Sequence, residues 1–276
     1  MANLTENYNV VSASDVTAWV VEDRPLPPRA ALVTFDDGYF DNYSNAYPIL
    51  RKRNLPAVIF LASDYMESAT PFYWDLVAHC FFMSQKDHLD FPSLGNFSWS
   101  DEASKDAVVR QVVEILKAKP ERDKKRLSDS FPKLLNVSVS DEVFKGMFLS
   151  WSQVREMRAN GIEMGAHTAS HPILTRIHPD DARAEIVKSK KRIEDEVKQP
   201  VHCFAYPNGQ RTDYNDVVIR AVRDSGIQSA YTLLPGPTRF ASIKKRPYQI
   251  RRIFLSYKDT LPRFAAKLSG LSRLSL

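Results

Sequence analysis

The chain has 276 residues, 43% of them hydrophobic and 26% charged, with 38 basic side chains against 33 acidic ones and a net charge of +5. That balance supports a sizeable core and excludes global disorder, and no window reaches the roughly 18 apolar residues of a membrane span. The basic residues alternate with acidic ones, as at 188–192 beside 194–196, so they read as solvated faces and no nucleic-acid partner is expected. Cys80 and Cys203 lie in apolar contexts and suit free thiols in a reducing compartment. Residues 1–9 are polar, with no basic segment and no apolar run behind them, so a cytoplasmic location is expected.

In chain order, residues 8–12 predict a short strand and 15–21 a short helix, followed by a stiff approach through Pro25, Pro27 and Pro28. A strand at 31–36 ends abruptly in Asp36-Asp37-Gly38. Residues 42–53 carry apolar side chains near helical spacing and end in basic residues, and 56–61 form a compact buried strand. Residues 72–150 break this rhythm. They open with the aromatic run Phe72-Tyr73-Trp74 and continue in amphipathic patterns at 105–117 and 121–135, with little strand signal. We read them as a mainly helical insertion within one catalytic domain spanning 1–276. Beyond Trp151 the alternation resumes: helices at 152–160, 179–197 and 215–225, strands at 162–166, 201–206, 228–233 and 250–255. Strands alternating with helices predict an α/β fold, either a parallel barrel or an open doubly wound sheet. Either one gathers its functional residues at the C-terminal ends of the strands.

Asp36, Asp37, His167 and His171 all fall at that edge. Two adjacent carboxylates repel and resist desolvation without a cation. Alone, the pair is either a solvated turn or one metal ligand beside one proton carrier. His167 and His171 stand four apart just after a strand and face one ion if their loop is helix-like, with Pro172 as a first helical residue. Taken together, a carboxylate and two imidazoles form the three-ligand set with open positions that catalytic zinc uses.

The strings Thr34-Phe-Asp-Asp-Gly38 and His167-Thr-Ala-Ser-His171, followed by Phe204-Ala-Tyr-Pro-Asn-Gly209 and Ile250-Arg-Arg-Ile253, resemble the signature motifs of the polysaccharide deacetylases. These are the NodB-homology carbohydrate esterases, and the likeness is to the branch acting on exopolysaccharide, capsule or lipid-linked glycan. The resemblance implies a distorted (β/α) barrel of about seven strands and metal-dependent removal of acetyl groups from sugars. Carried over, it makes Asp37, His167 and His171 the ligands of one divalent ion, zinc before others, and Asp36 the general base. The backbone N–H of Asn208 then faces the oxyanion, Tyr206 and Trp74 belong to the substrate-binding set, and Thr168 and Ser170 brace the histidine loop.

The chain also departs from the pattern. Ala205 stands where the third motif usually has an arginine that orients the base, and no histidine follows His202 to serve as the late general acid. Arg252 either replaces that guanidinium from another strand or lies on the surface. These losses keep a second reading open, a non-catalytic glycan-binding relative. A non-haem iron oxygenase shares the ligand set, but the second aspartate argues against it. Trp74 either stacks on a sugar or belongs to a core. The C-terminal stripe of Leu261, Phe264, Ala265, Leu268 and Leu271, beside Arg263, Lys267 and Arg273, suits a membrane surface, a homodimer contact or a final core helix. The expected substrate is a polysaccharide or lipid-linked oligosaccharide.

Overall fold

The computed structural model describes residues 1–270, so Leu271 and Arg273 of the predicted stripe lie outside the described residues. A short helix α1 (Ala2–Asn7) leads to β1 (Asn9–Val10), α2 (Ala13–Glu22) and β2 (Ala30–Ala31), and the two strands pair in parallel as a separate ribbon. Next come β3 (Thr34–Asp37), a wide helical turn at Asn42–Ala46, α3 (Tyr47–Lys52) and β4 (Ala57–Leu61). Residues Ser68–Met147 form a compact unit of their own with α4 (Tyr73–Met83), β5 (His88–Phe91), β6 (Gly95–Ser98), α5 (Glu102–Lys117), α6 (Glu121–Ser128) and α7 (Phe131–Leu134). The chain then continues through α8 (Trp151–Ala159), β7 (Ile162–Ala166), α9 (Pro179–Val197), β8 (Cys203–Ala205) and α10 (Asp216–Asp224). It ends with β9 (Ser229–Pro235), α11 (Phe240–Lys245), β10 (Ile250–Arg252) and α12 (Leu261–Ser269).

Six of these strands build one parallel sheet in the order β3-β4-β7-β8-β9-β10, one fewer than the family resemblance implies. All five residues of β4 are buried, as expected of a parallel strand covered on both faces. The sheet curls strongly. In a flat sheet its two edge strands would stand about 24 Å apart, five spacings of roughly 4.8 Å. Yet Arg252 of β10 hydrogen-bonds Asp36 of β3. A side chain spans that gap only when the sheet closes most of the way into a barrel. On the concave face Asp36, Phe60 and Gly165 stand in register, and the Arg252 guanidinium lies over the Phe60 ring at 5.6 Å. Gly165 makes room for that ring: a Cβ there would come within 2.4 Å of it.

The inserted unit has its own apolar core, with Val77, Cys80, Phe81, Val112, Leu116, Phe131 and Leu135 fully buried. It differs from the mainly helical expectation by the antiparallel hairpin β5–β6, whose residues alternate exposed and buried. The helix predicted at 121–135 also breaks into two, because Pro132 sits in the first turn of α7. Among the described residues no helix is long and apolar enough to cross a membrane.

Candidate metal centre

The site begins where β3 stops. Successive strand residues point to opposite faces, so Asp36 and Asp37 separate immediately. Asp36 points into the concave face, where Arg252 grips both carboxylate oxygens, Nη1 to Oδ1 at 2.6 Å and Nη2 to Oδ2 at 2.8 Å. The guanidinium is itself held by the Thr232 carbonyl through Nε, at 3.1 Å, and by the Thr34 hydroxyl. Burial alone would raise the pKa of Asp36, but the Arg252 charge and its hydrogen bonds to the carboxylate outweigh it. The carboxyl therefore sits below its usual range and is ionised.

Asp37 leaves the strand in the left-handed region, φ 73°, which aspartate tolerates better than most residues. Its Oδ1 stands 3.5 Å from Nε2 of His167 and 3.4 Å from Nε2 of His171. One ligand atom from each of the three residues lies within 4.8 Å of the others.

His167 extends β7 and is almost fully buried. Its Nδ1 donates to the Ala205 carbonyl at 2.7 Å, which fixes the proton on Nδ1 and turns the Nε2 lone pair toward Asp37. Desolvation lowers its pKa despite the opposing pull of Asp36 and the Ala205 carbonyl, so the imidazole is neutral.

His171 arrives by a different route from the one its spacing suggested. The loop is not helix-like: Thr168 and His171 both have positive φ, 65° and 61°. Pro172 does not open a helix either, since α9 starts at Pro179 after a short tight turn at Leu174–Arg176. Hydrogen bonds compensate the strain of a β-branched residue in that region. The Thr168 hydroxyl accepts the His171 N–H at 3.0 Å, and the Ser63 and Asp64 N–H groups donate to the carbonyls of Thr168 and Ala169. Ser170 braces the loop through a distant partner rather than a local one. Glu185 of α9 accepts from the Ala169 and Ser170 N–H groups and from the Ser170 hydroxyl, all within 2.9 Å. Glu185→Ala is expected to leave those donors unpaired, loosen His171 and weaken divalent-metal affinity about tenfold, measured by competition with a metal buffer.

The third-motif turn is pinned by Asp213, which is 1% exposed and accepts from the Gln210 N–H and the Asn208 amide. Asn208 has φ 60°, so its peptide is held in a fixed, unusual orientation. Gly209 follows at φ 59°, where a Cβ would meet the Leu233 nitrogen at 2.7 Å. Tyr206 is not a surface residue: it is fully buried, stacks on Tyr214 at 4.8 Å and donates its hydroxyl to the Tyr248 carbonyl. It belongs to the core beneath the turn, which corrects its expected place in the substrate-binding set. Trp74 lies in the inserted unit, stacked on Phe72 at 4.3 Å and met edge-on by Tyr73.

The Asp37, His167 and His171 atoms fit a divalent ion. Ligand atoms about 2.0–2.1 Å from zinc at tetrahedral angles stand roughly 3.3–3.4 Å apart, close to the separations of the Asp37 Oδ1 from the two imidazole nitrogens, 3.5 and 3.4 Å. The Nδ1 bond to Ala205 supplies the orientation such a ligand needs. Two contributors had no sequence signature: the Ala205 carbonyl and Glu185. Arg252, in one of the two places the sequence left open for it, stands where the missing guanidinium would act. Asp213, five residues past Asn208 in a polar turn, was the one readable signal missed.

Residues 23–230 match the family model described as polysaccharide deacetylase. YxkH of Bacillus subtilis strain 168, whose own assignment as a polysaccharide deacetylase is provisional, is 22% identical over 249 residues, covering 90% of this chain and 60% of YxkH. Among solved structures, the deacetylase PplD of Streptococcus pyogenes in complex with acetate superposes with a TM-score of 0.61 at 17% identity, over 96% of this chain and 81% of PplD. A de-N-acetylase from Aggregatibacter actinomycetemcomitans gives 0.58 at 18% identity, over 95% of this chain and 84% of its own. These structures share the fold.

Proposed function

Because the chain belongs to the polysaccharide deacetylase family, we propose that it removes N-acetyl groups from N-acetylhexosamine units of a bacterial surface polysaccharide or its lipid-linked precursor. Asp37, His167 and His171 hold one divalent ion, zinc first. One observation carries the reading: two imidazole Nε2 atoms converge on Asp37 while its neighbour Asp36 is turned away into a clamp. A de-N-acetylase among the similar folds supports amide rather than ester chemistry, and Cys80 and Cys203, both buried free thiols, support a reducing compartment.

A divalent ion bound there supplies a Lewis acid for the acetyl carbonyl and makes water a stronger acid. The chain does the rest. Asp36, ionised and fixed by Arg252, takes a proton from the attacking water. The Asn208 N–H donates to the developing oxyanion, since Pro207 has none to give. Asp36 then returns its proton to the departing amine, so free amine and acetate leave and no late histidine is needed. Arg252 fills the role that the alternative, a non-catalytic glycan binder, supposed empty. Trp74 remains a candidate sugar platform in the inserted unit.

Acetate release from chitooligosaccharides and from poly-N-acetylglucosamine, with zinc or cobalt added, tests the assignment. Acetate and free amine in equal amounts are expected; silence on both substrates with both metals would return the chain to glycan binding.

The Arg252 clamp has its own signature. Arg252→Ala removes the strongest influence holding the Asp36 carboxyl acidic, so its pKa rises. The acid limb of kcat/KM is expected to move to higher pH, with the loss largest on the acid side and smallest on the alkaline side. Arg252→Lys is expected to restore the limb in part, because the charge returns without the two-pronged contact. A pH–rate profile of the three proteins checks it.

A further inference from the structure

We propose that the turn after β10 and the start of α12 form a docking surface for an anionic membrane. The observation behind it is an inverted order of side chains. Phe254 is 65% exposed, Tyr257 91% and Leu261 62%, with Leu255 also exposed. The polar groups of the same segment turn inward. Asp259 holds the Lys267 ammonium at 2.6 Å and accepts the Ser256 N–H at 2.7 Å. The same ammonium donates to the Phe254 carbonyl at 3.0 Å. The segment is therefore a tied turn that presents apolar side chains outward. None of the residues of α12 is buried, so the helix does not act as a final core element. Single exposed apolar residues are ordinary, but a cluster on one ordered turn marks an interaction surface.

The surrounding charge selects the occupant. Between residues 250 and 270 the exposed charged side chains are Arg251, Lys258 and Arg263, all cationic. Arg252 is buried against Asp36, and Asp259 is neutralised by Lys267. Apolar tips that enter the headgroup boundary, ringed by cations that meet acidic lipids, are how interfacial segments bind. A second copy of the chain would instead bring like charges together across a symmetric contact. The turn starts two residues beyond Arg252, at the sheet edge that carries Asp36. The proposal concerns binding alone and stands apart from the reaction proposed above.

Co-sedimentation of the full chain with vesicles tests it, using phosphatidylcholine alone and phosphatidylcholine mixed with phosphatidylglycerol. Binding is expected for the mixed vesicles only, weakening as salt rises. Lys258→Gln with Arg263→Gln is expected to lower partitioning about 25-fold, fivefold for each charge near a lipid surface. Phe254→Ser with Tyr257→Ser is expected to abolish it. All four positions are exposed, so denaturation curves should not move. Equal binding to both vesicle types would overturn the proposal. So would no binding by the unaltered chain, or a self-association that Phe254→Ser removes, which would assign the turn to a second copy.

Discussion

Asp36→Asn is expected to lower kcat about a hundred- to ten-thousand-fold while the protein still binds one divalent ion. Asparagine keeps the shape of the side chain and loses the ability to take a proton. The proposed ligands Asp37, His167 and His171 are not touched, so metal stoichiometry by elemental analysis should stay at one per chain. Stability falls as well, because Arg252 is 8% exposed and loses its counter-charge. Asparagine still offers one acceptor, so the loss should stay below the roughly 3–5 kcal/mol of a buried charge left fully unpaired. A variant that loses metal along with activity would make Asp36 a ligand and remove the proton carrier from the scheme.

The same clamp fixes a pH dependence. The native pKa of Asp36 lies below its unfolded value, since the Arg252 charge and its hydrogen bonds outweigh desolvation. The unfolded chain therefore binds more protons than the native one in the window just below the ordinary carboxylate range. The stability this gives is fully present above that range and is lost as pH falls through the native value. Activity should lose its base over the same interval.

Much of this was legible in the sequence, for reasons that differ by residue. The strand Ile162–Ala166 and the helix Pro179–Val197 could be read to their ends, because Gly161 ahead of the strand, Pro179 in the helix's first turn and Pro200 soon after it mark their limits. The hairpin at His88–Ser98 was missed although Leu89 and Phe91 alternate with polar residues, because amphipathic helices surround it. Spacing of four makes the histidine pair visible and suits one ion only if the loop is helix-like; it does not reveal that Thr168 and His171 are left-handed, nor that Glu185 of a later helix holds Ala169 and Ser170 between them. Arg252 meets Asp36 across 216 residues, and only the closing of the sheet brings them together. Tyr206 was misplaced against available evidence. It shares strand parity with Phe204 and is opposite to Ala205, so alternation already pointed it toward the helix layer.

His167→Ala is expected to abolish both metal retention and turnover, the opposite pattern to Asp36→Asn. Of the three proposed ligands His167 is the most buried: it is neutral and oriented by the Ala205 carbonyl of the neighbouring strand. Alanine removes a donor atom and leaves the Ala205 carbonyl without its side-chain partner. With two donor side chains remaining, the ion should leave on dialysis, and activity should fall by at least about a thousand-fold, since water then loses the acidity a bound ion would lend it. Chelator treatment of the unaltered chain should reproduce the loss, and added zinc should reverse it there but not in His167→Ala. The two variants together separate holding the ion from moving the proton. If His167→Ala kept a full complement of metal and its turnover, the convergence on Asp37 would be a structural ion pair and the reaction would have to be placed elsewhere on the sheet edge.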